Sequence, residues 1–145
     1  MATDSSSTDI YPIKISSSVF INNYASAGSV AYVMKKCVLT ATNSIFLDNK
    51  QTLSSLGDVF SKIGNSASFV LDNNWWGNTA ENATAAPRKE LNNWLFLNVT
   101  SNVDKLNFNE NAIITVDLAN VITSKGEISK YDAGDKLPLD NLNIT

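Results

Sequence analysis

A six-residue pattern that recurs three times constrains this chain more than any other feature. It reads Ser-Val-Phe-Ile-Asn-Asn at residues 18–23, Ser-Ile-Phe-Leu-Asp-Asn at 44–49 and Ser-Phe-Val-Leu-Asp-Asn at 68–73, so the copies follow one another at nearly equal spacing. Each copy reads as a short strand ending in asparagine, with room in each period for two more short strands. Because stacked coils pair each strand with its counterpart one period away, the pattern predicts an all-β fold that begins as a right-handed parallel β-helix of about three coils.

The repeat also predicts which side chains face the interior. Phe20, Phe46 and Val70 hold equivalent positions, so we expect them to stack inside the coils as a core. Alternation puts a second apolar set on the opposite face, where it would form an interface that something must cover. The members of this set are Val19, Ile21, Ile45, Leu47, Phe69 and Leu71.

A later part of the chain supplies the expected cover for that interface. Residues 94–118 carry an apolar side made of Leu95, Leu97, Ile114 and Val116. The segment before them is long enough to turn the chain back, so we expect the cover to be intramolecular. A second copy of the chain or a partner protein is the alternative.

Changes in composition and in hydrophobic pattern divide the chain into four parts. Residues 1–9 are small and polar and predict a flexible leader, and residues 10–79 carry the predicted coils. Residues 80–93 are rich in Ala, Asn and Thr and predict a linker. Residues 94–145 contain two longer strands and a tail with turn signals. They predict an Ig-like or capping β-segment that is partial, because only three or four strands fit where about seven are needed.

Composition excludes several kinds of chemistry. The 145 residues include no histidine, so a Ser-His-Asp triad and a His-ligated zinc or haem are excluded for this chain. The net charge of −3 gives no basic surface for nucleic acid or anionic lipid. Cys37 is the single cysteine and has no partner at a metal-ligand spacing. We therefore expect a non-catalytic chain with no cofactor, no metal site and no nucleic-acid partner.

The start of the chain bears on its location. Met1 is followed by Ala-Thr-Asp-Ser-Ser-Ser, which lacks the basic and apolar stretches of a signal peptide, and no apolar run is long enough to span a bilayer. We expect the chain to be a fragment of a longer exported protein, with its signal peptide and anchor outside this sequence and no membrane insertion of its own.

Three motifs, in this order, resemble the adhesin-like surface proteins of methanogenic archaea. They are the Ser-x-Phe-x-x-Asn copies at 18–23 and 44–49, the closing Asn-Trp-Trp-Gly of residues 74–77, and Trp-Leu-Phe-Leu-Asn-Val-Thr at 94–100. In that family, right-handed parallel β-helix repeats end in Asn-Trp-Trp-Gly and lead into Ig-like repeats. The resemblance implies a secreted, often glycosylated cell-surface protein with a binding or structural role and no cofactor, and we expect this chain to mediate attachment to cells or glycans.

The expected partner is a protein or polysaccharide on the surface of another cell, or neighbouring copies of the chain. Two other functions stay open. One is a structural stalk or assembly subunit of the cell surface without its own ligand. The other, less favoured, is a β-helix polysaccharide lyase or hydrolase, which would need several carboxylates and a base on one outer face.

Three kinds of residue are candidate sites. Trp75 and Trp76 suit either a platform for a glycan or a cap on the last coil, and we favour the cap. Glycosylation acceptor patterns begin at Asn82, Asn98 and Asn143. Asp48 and Asp72 fall at the same position of two copies, but without an accompanying base we favour surface solvation over catalysis or calcium binding.

Overall fold

The computed structural model describes residues 9–52, 59–64, 66–77 and 91–138, and this part of the chain is all-β. The predicted fold class is confirmed at this level. The described residues contain twelve strands and one short 3₁₀ helix, Gly134–Lys136. The strands are β1 (Tyr11–Ser16), β2 (Val19–Ile21), β3 (Tyr24–Ala25), β4 (Ala31–Val33), β5 (Cys37–Thr42), β6 (Ile45–Leu47), β7 (Lys50–Gln51), β8 (Phe60–Lys62), β9 (Ser68–Val70), β10 (Asn93–Ser101), β11 (Ile114–Thr123) and β12 (Ile128–Lys130).

The first nine strands pair in parallel, and we call residues 9–77 the parallel segment. Strand β1 pairs with β5, β2 with β6, β3 with β7 and β4 with β8. The pairing of β2 with β6 puts Phe20 opposite Phe46, as the spacing between the first two copies predicts. We call residues 11–36 the first repeat and residues 37–66 the second repeat.

The third copy of the pattern pairs differently from the prediction. Strand β9 lies beside β5, with Phe69 opposite Leu39, and it is Trp75 that forms a parallel bridge with Ile45. The sequence separation of equivalent positions therefore grows from 26, as between Ser18 and Ser44, to 30, as between Ser44 and Asn74. Three of the four extra residues enter between β7 and β8, because the separation is 26 in the β3–β7 pair and 29 in the β4–β8 pair. The fourth enters between β8 and β9, since Val38 and Ser68 are 30 residues apart.

Left-handed backbone marks the corners between strands and accounts for the polar small residues there. Ser17, Asn43 and Asn73 have φ angles of 49°, 52° and 60° at one corner, and Asn22 and Asp48 have 56° and 52° at the next. Among residues with a Cβ, Asn and Asp tolerate this conformation best. The asparagine content thus follows in part from the repeated turns.

Aromatic rings form the centre of the core of the parallel segment. Phe20 stacks on Phe46 with centroids 5.3 Å apart, and Phe46 stacks on Trp76 at 4.7 Å. The predicted third member, Val70, is instead 44% exposed, because β9 pairs with β5 and turns Phe69 inward. Trp76 takes the place expected for Val70.

Residues 91–138 form a second unit, which we call the antiparallel segment. Strand β11 lies between β10 and β12, and both pairings are antiparallel. A β-bulge interrupts the β10–β11 register between Phe96 and Asn98. Leu95, Leu118 and Val121 are buried on one side of this sheet, in a cluster with Ile45 and Trp75 of the parallel segment.

Polar contacts tie the two segments together. The backbone N–H of Leu95 donates to the carbonyl of Asn74 at 2.9 Å, and the Asn92 backbone N–H donates to the Asp72 carboxylate at 2.9 Å. The Tyr131 hydroxyl donates to Asn43 Oδ1 at 2.8 Å. The predicted leader and linker fall almost wholly outside the described residues. In the described part of the chain, no helix is long and apolar enough to cross a membrane.

Candidate contact surface on the antiparallel hairpin

The loop that joins β10 to β11 carries the most exposed apolar side chain among the described residues. Phe108 is 94% exposed, and Leu106 and Ile113 in the same loop are also exposed. Single exposed apolar residues are ordinary on protein surfaces, but a cluster of them commonly marks a site of interaction. This loop is therefore a candidate contact site.

A hydrogen-bonded turn holds Phe108 outward. The Glu110 carboxylate accepts the Asn107 backbone N–H at 2.9 Å and the Asn107 side-chain amide at 3.0 Å. The Glu110 backbone N–H in turn donates to the Asn107 carbonyl at 3.2 Å. These two bonds to the carboxylate hold the pKa of Glu110 below its ordinary value, and the bond from the Asn107 backbone N–H has the larger effect. The turn thus has a defined conformation, although it lies in solvent.

The base of the loop is closed by a second set of bonds. The Ile113 backbone N–H donates to Asn102 Oδ1 at 2.7 Å, and the Asn102 N–H donates to the Ile113 carbonyl at 3.2 Å. The Ser101 hydroxyl donates to the Val103 carbonyl at 2.8 Å. An ordered loop has less conformational entropy to lose on binding than a flexible one.

The strands that lead into the loop also carry exposed apolar side chains. Val99 lies opposite Val116 in the register, and Ile114 is two residues from Val116, so the three share one face of the sheet. All three are exposed. We call Val99, Leu106, Phe108, Ile114 and Val116 the hairpin surface.

The expected intramolecular cover is thus present only in part. Leu95 is buried against Ile45, and Leu97 and Leu47 pack at the margin of the same cluster. The prediction that Ile114 and Val116 also contribute is wrong, since they lie in the exposed distal half of the hairpin. Leu118 and Val121 take their place in the contact.

The six residues expected at one apolar face separate into three groups. Ile45 is buried and Leu47 is half-buried beneath the antiparallel sheet, whereas Val19 and Ile21 on the first repeat stay exposed. Phe69 and Leu71 lie in the core of the parallel segment instead. They face inward because β9 pairs with β5 and not with β6.

Both tryptophans are buried, with 3% exposure for Trp75 and 4% for Trp76. Trp76 faces the core of the parallel segment, and Trp75 lies on the opposite side against the antiparallel sheet. Neither side chain offers a platform for a glycan. Their indole N–H groups have no hydrogen-bond partner among the described residues.

Of the three glycosylation patterns, one is described. Asn98 is half-buried in β10, where its side-chain amide donates to the Asp117 carboxylate at 3.3 Å. Asn82 and Asn143 lie outside the described residues.

The carboxylates Asp48 and Asp72 do not share a corner. Asp48 is equivalent to Asn22, since Leu47 pairs with Ile21, while Asp72 directly precedes the corner that Asn43 and Asn73 share. The Asp72 carboxylate accepts both the backbone N–H and the side-chain amide of Asn92, each at 2.9 Å. No group of three His, Cys, Asp or Glu able to hold a metal occurs in the described residues.

Sequence reasoning named Ile114 and Val116 only as part of the expected cover and did not single out Val99, Leu106 or Phe108. A signal was present, because Asn107-Phe-Asn-Glu110 sets an aromatic residue among turn formers. Whether such a residue is buried depends on tertiary packing, which the local pattern does not report. Comparison with protein family models, curated proteins and solved structures finds no match to this chain.

Proposed function

We propose that this chain acts as a non-catalytic, extracellular adhesin-like protein of the cell surface, which attaches to cells or glycans through the hairpin surface. The observation that carries the proposal is Phe108, held almost fully in solvent by the turn of Asn107 and Glu110. An ordered, exposed aromatic ring is the type of residue that anchors a protein contact or packs on the apolar face of a sugar.

The proposed scaffold for this contact is a right-handed parallel β-helix. Parallel pairing of successive repeats, corners in left-handed conformation and the Phe20–Phe46–Trp76 stack support it. Polar side chains also join the first two repeats. The Asn49 Oδ1 accepts the Asn23 backbone N–H, and the Asn49 side-chain amide donates to the Phe20 carbonyl. Such a rod would present the hairpin away from a cell surface.

The sequence resemblance to adhesin-like surface proteins of methanogenic archaea supports the same function and an extracellular location. The proposed partner is a cell-surface protein or polysaccharide of another cell. Low charge, with 17% Asp, Glu, Lys and Arg, favours recognition by apolar and polar contact over electrostatic steering. The Asp72 carboxylate is occupied by Asn92, which supports a non-catalytic role for it.

The test measures attachment of protein-coated beads to a panel of whole bacterial and archaeal cells, together with binding to a glycan array. We expect Phe108→Ala to lower attachment by about tenfold, the effect of losing one central aromatic contact. Tyr24→Ala is the matched control, because Tyr24 is an exposed aromatic residue of the parallel segment. It should leave attachment unchanged.

Two results would contradict the proposal. Wild-type beads that attach to no cell and no glycan above bare beads would favour a structural stalk. Equal losses with Phe108→Ala and Tyr24→Ala would show that the hairpin surface is not the contact.

A further inference from the structure

The two edges of the antiparallel sheet differ in how they are protected. Among the described residues, the backbone of residues 96–101 of β10 pairs only with β11. Exposed edge strands are commonly short, charged, interrupted by proline or distorted by a bulge, because a free edge can pair with another chain. The opposite edge, β12, has three residues and ends in Lys130. The nine residues of β10 include no charge and no proline.

The bulge of this sheet does not protect β10 either. From Phe96 to Asn98 is two steps along β10, whereas the facing residues Asn120 and Asp117 are three steps apart along β11. The extra residue therefore lies in the central strand. Strand β10 is thus a long and uncharged edge that lacks a bulge of its own.

A glycosylation acceptor pattern lies on this edge, at Asn98-Val-Thr100. Side chains alternate between the two faces of a strand, so Phe96, Asn98 and Thr100 share one face. Leu95 points the other way, because it is buried against the parallel segment. The ring and the amide are half-buried and Thr100 is exposed. The acceptor amide, its hydroxyl partner and an aromatic ring thus lie together on the outer face of the sheet.

The Asn98 amide is already oriented by β11. Its nitrogen donates to the Asp117 carboxylate at 3.3 Å. That carboxylate also accepts the Ala119 backbone N–H at 3.0 Å and the Asn120 side-chain amide at 3.1 Å. An asparagine amide has two hydrogens, and attachment of a sugar replaces only one. The bond to Asp117 can therefore persist and hold an attached sugar in a fixed direction.

We propose that Asn98 is a glycosylation site, and that its N-linked glycan packs its first sugar on the Phe96 ring and shields the β10 edge. The inference rests on the proposed extracellular location. The Asn98 amide nitrogen forms a bond to C1 of a sugar carried on a lipid phosphate. The bond from C1 to the phosphate oxygen breaks, and the amide proton leaves with the lipid phosphate. A membrane oligosaccharyltransferase of the exporting cell catalyses this transfer.

The position of Phe96 suits this role. It lies two residues before Asn98, about 6–7 Å along an extended strand, and an aromatic ring packs on the apolar face of a sugar. A bulky, hydrated glycan beside the edge hinders the approach of another strand. Val99 points to the opposite face, so the glycan leaves the hairpin surface free for contact.

The first test is peptide mass spectrometry of the full chain secreted from yeast behind a cleavable signal peptide. We expect the Asn98 peptide to carry a glycan that a peptide N-glycosidase removes, with ¹⁸O incorporated from labelled water. Thr100→Ser keeps the acceptor pattern and should keep the glycan, whereas Thr100→Ala should lose it. An Asn98 peptide found only unmodified, in cells whose own secreted proteins carry N-glycans, would overturn the site.

The second test measures the contact between the sugar and Phe96. The glycosylated chain should melt about 2–4 °C above Thr100→Ala. The same comparison in a Phe96→Leu background should show no such difference, because the ring is absent. Phe108→Leu is the matched control, since that ring lies in the distal loop, and it should leave the difference unchanged. An equal difference in the Phe96→Leu background would show that the sugar does not pack on Phe96.

The third test measures protection of the edge by sedimentation velocity. The glycosylated chain should stay monomeric, and Thr100→Ala should associate as its concentration rises. Thr100→Lys also lacks the glycan but puts a charge on the edge, so it should stay monomeric. A monomeric Thr100→Ala at the same concentrations would overturn the shielding role. None of these measurements involves attachment to cells, so the proposed adhesion and the glycosylation of Asn98 can fail independently.

Discussion

The parallel and antiparallel segments differ in how they bury their apolar side chains. The parallel segment surrounds Phe46 and Phe60 with its own strands and buries Ser44 and Asn74 beside them as hydrogen-bonded groups. The antiparallel segment has a single sheet, and only its proximal half meets a second surface. Its distal half carries apolar residues with nothing described against them. A set of strands that packs around its own interior builds its own core, whereas a lone sheet depends on what it packs against.

The largest expected effect comes from two phenylalanines at opposite extremes of burial. Phe46→Ala removes a ring that contacts Phe20, Phe60 and Trp76, so we expect a loss of about 3–5 kcal/mol in the free energy of unfolding. Phe108→Ala should change it by less than about 0.5 kcal/mol, because the ring is exposed. Urea unfolding followed by tryptophan fluorescence measures both. A cost below about 1 kcal/mol for Phe46→Ala would show that the aromatic stack does not support the fold.

A smaller effect separates the two halves of the hairpin. Leu95 and Val99 lie on β10, yet Leu95 is buried against the parallel segment and Val99 is exposed. Leu95→Ala should cost about 2–5 kcal/mol by leaving a cavity beside Ile45 and Trp75, and Val99→Ala less than about 0.5 kcal/mol. Urea unfolding measures both costs, and similar values for the two variants would mean that the segments do not pack together.

The contrast also shows how far the sequence could predict the structure. The pairing of Phe20 with Phe46 follows from the spacing of the first two copies, and the same spacing relates β1 to β5 and β3 to β7. The sequence pattern wrongly predicts Val70 as the third member of the core stack, since residues 68–73 match the repeated pattern better than the residues around Trp76 do. A hydrogen bond identifies the true register. Asn74, which stands one repeat after Ser44, accepts the Ser44 backbone N–H with its Oδ1.

The sequence predicts the two strands of the hairpin better than it predicts which of their side chains are buried. Alternation along Ile114, Val116 and Leu118 indicates one apolar face, but it does not say how far along that face the contact with the parallel segment extends. The bulge after Phe96 shifts the register of β11, so that both Leu118 and Val121 reach the contact. Bulges leave little trace in a short polar and apolar pattern.

The smallest expected effect concerns the turn that carries Phe108. Hydrogen bonds from Asn107 favour the charged form of Glu110 and hold its pKa below the ordinary value. A lowered pKa in the folded chain means that the stabilisation of the turn is fully present above the ordinary glutamate pKa and is lost as pH falls through the lowered one. Glu110→Gln should loosen the turn while the free energy of unfolding of the whole chain stays unchanged, since the carboxylate is in solvent. An NMR titration of the Asn107 amide should show a midpoint below that of an exposed glutamate in the wild type and no such step in Glu110→Gln. A midpoint at or above the ordinary value would mean that the bonds from Asn107 to Glu110 do not hold Phe108. The hairpin would then have a buried proximal half but no ordered loop at its distal end.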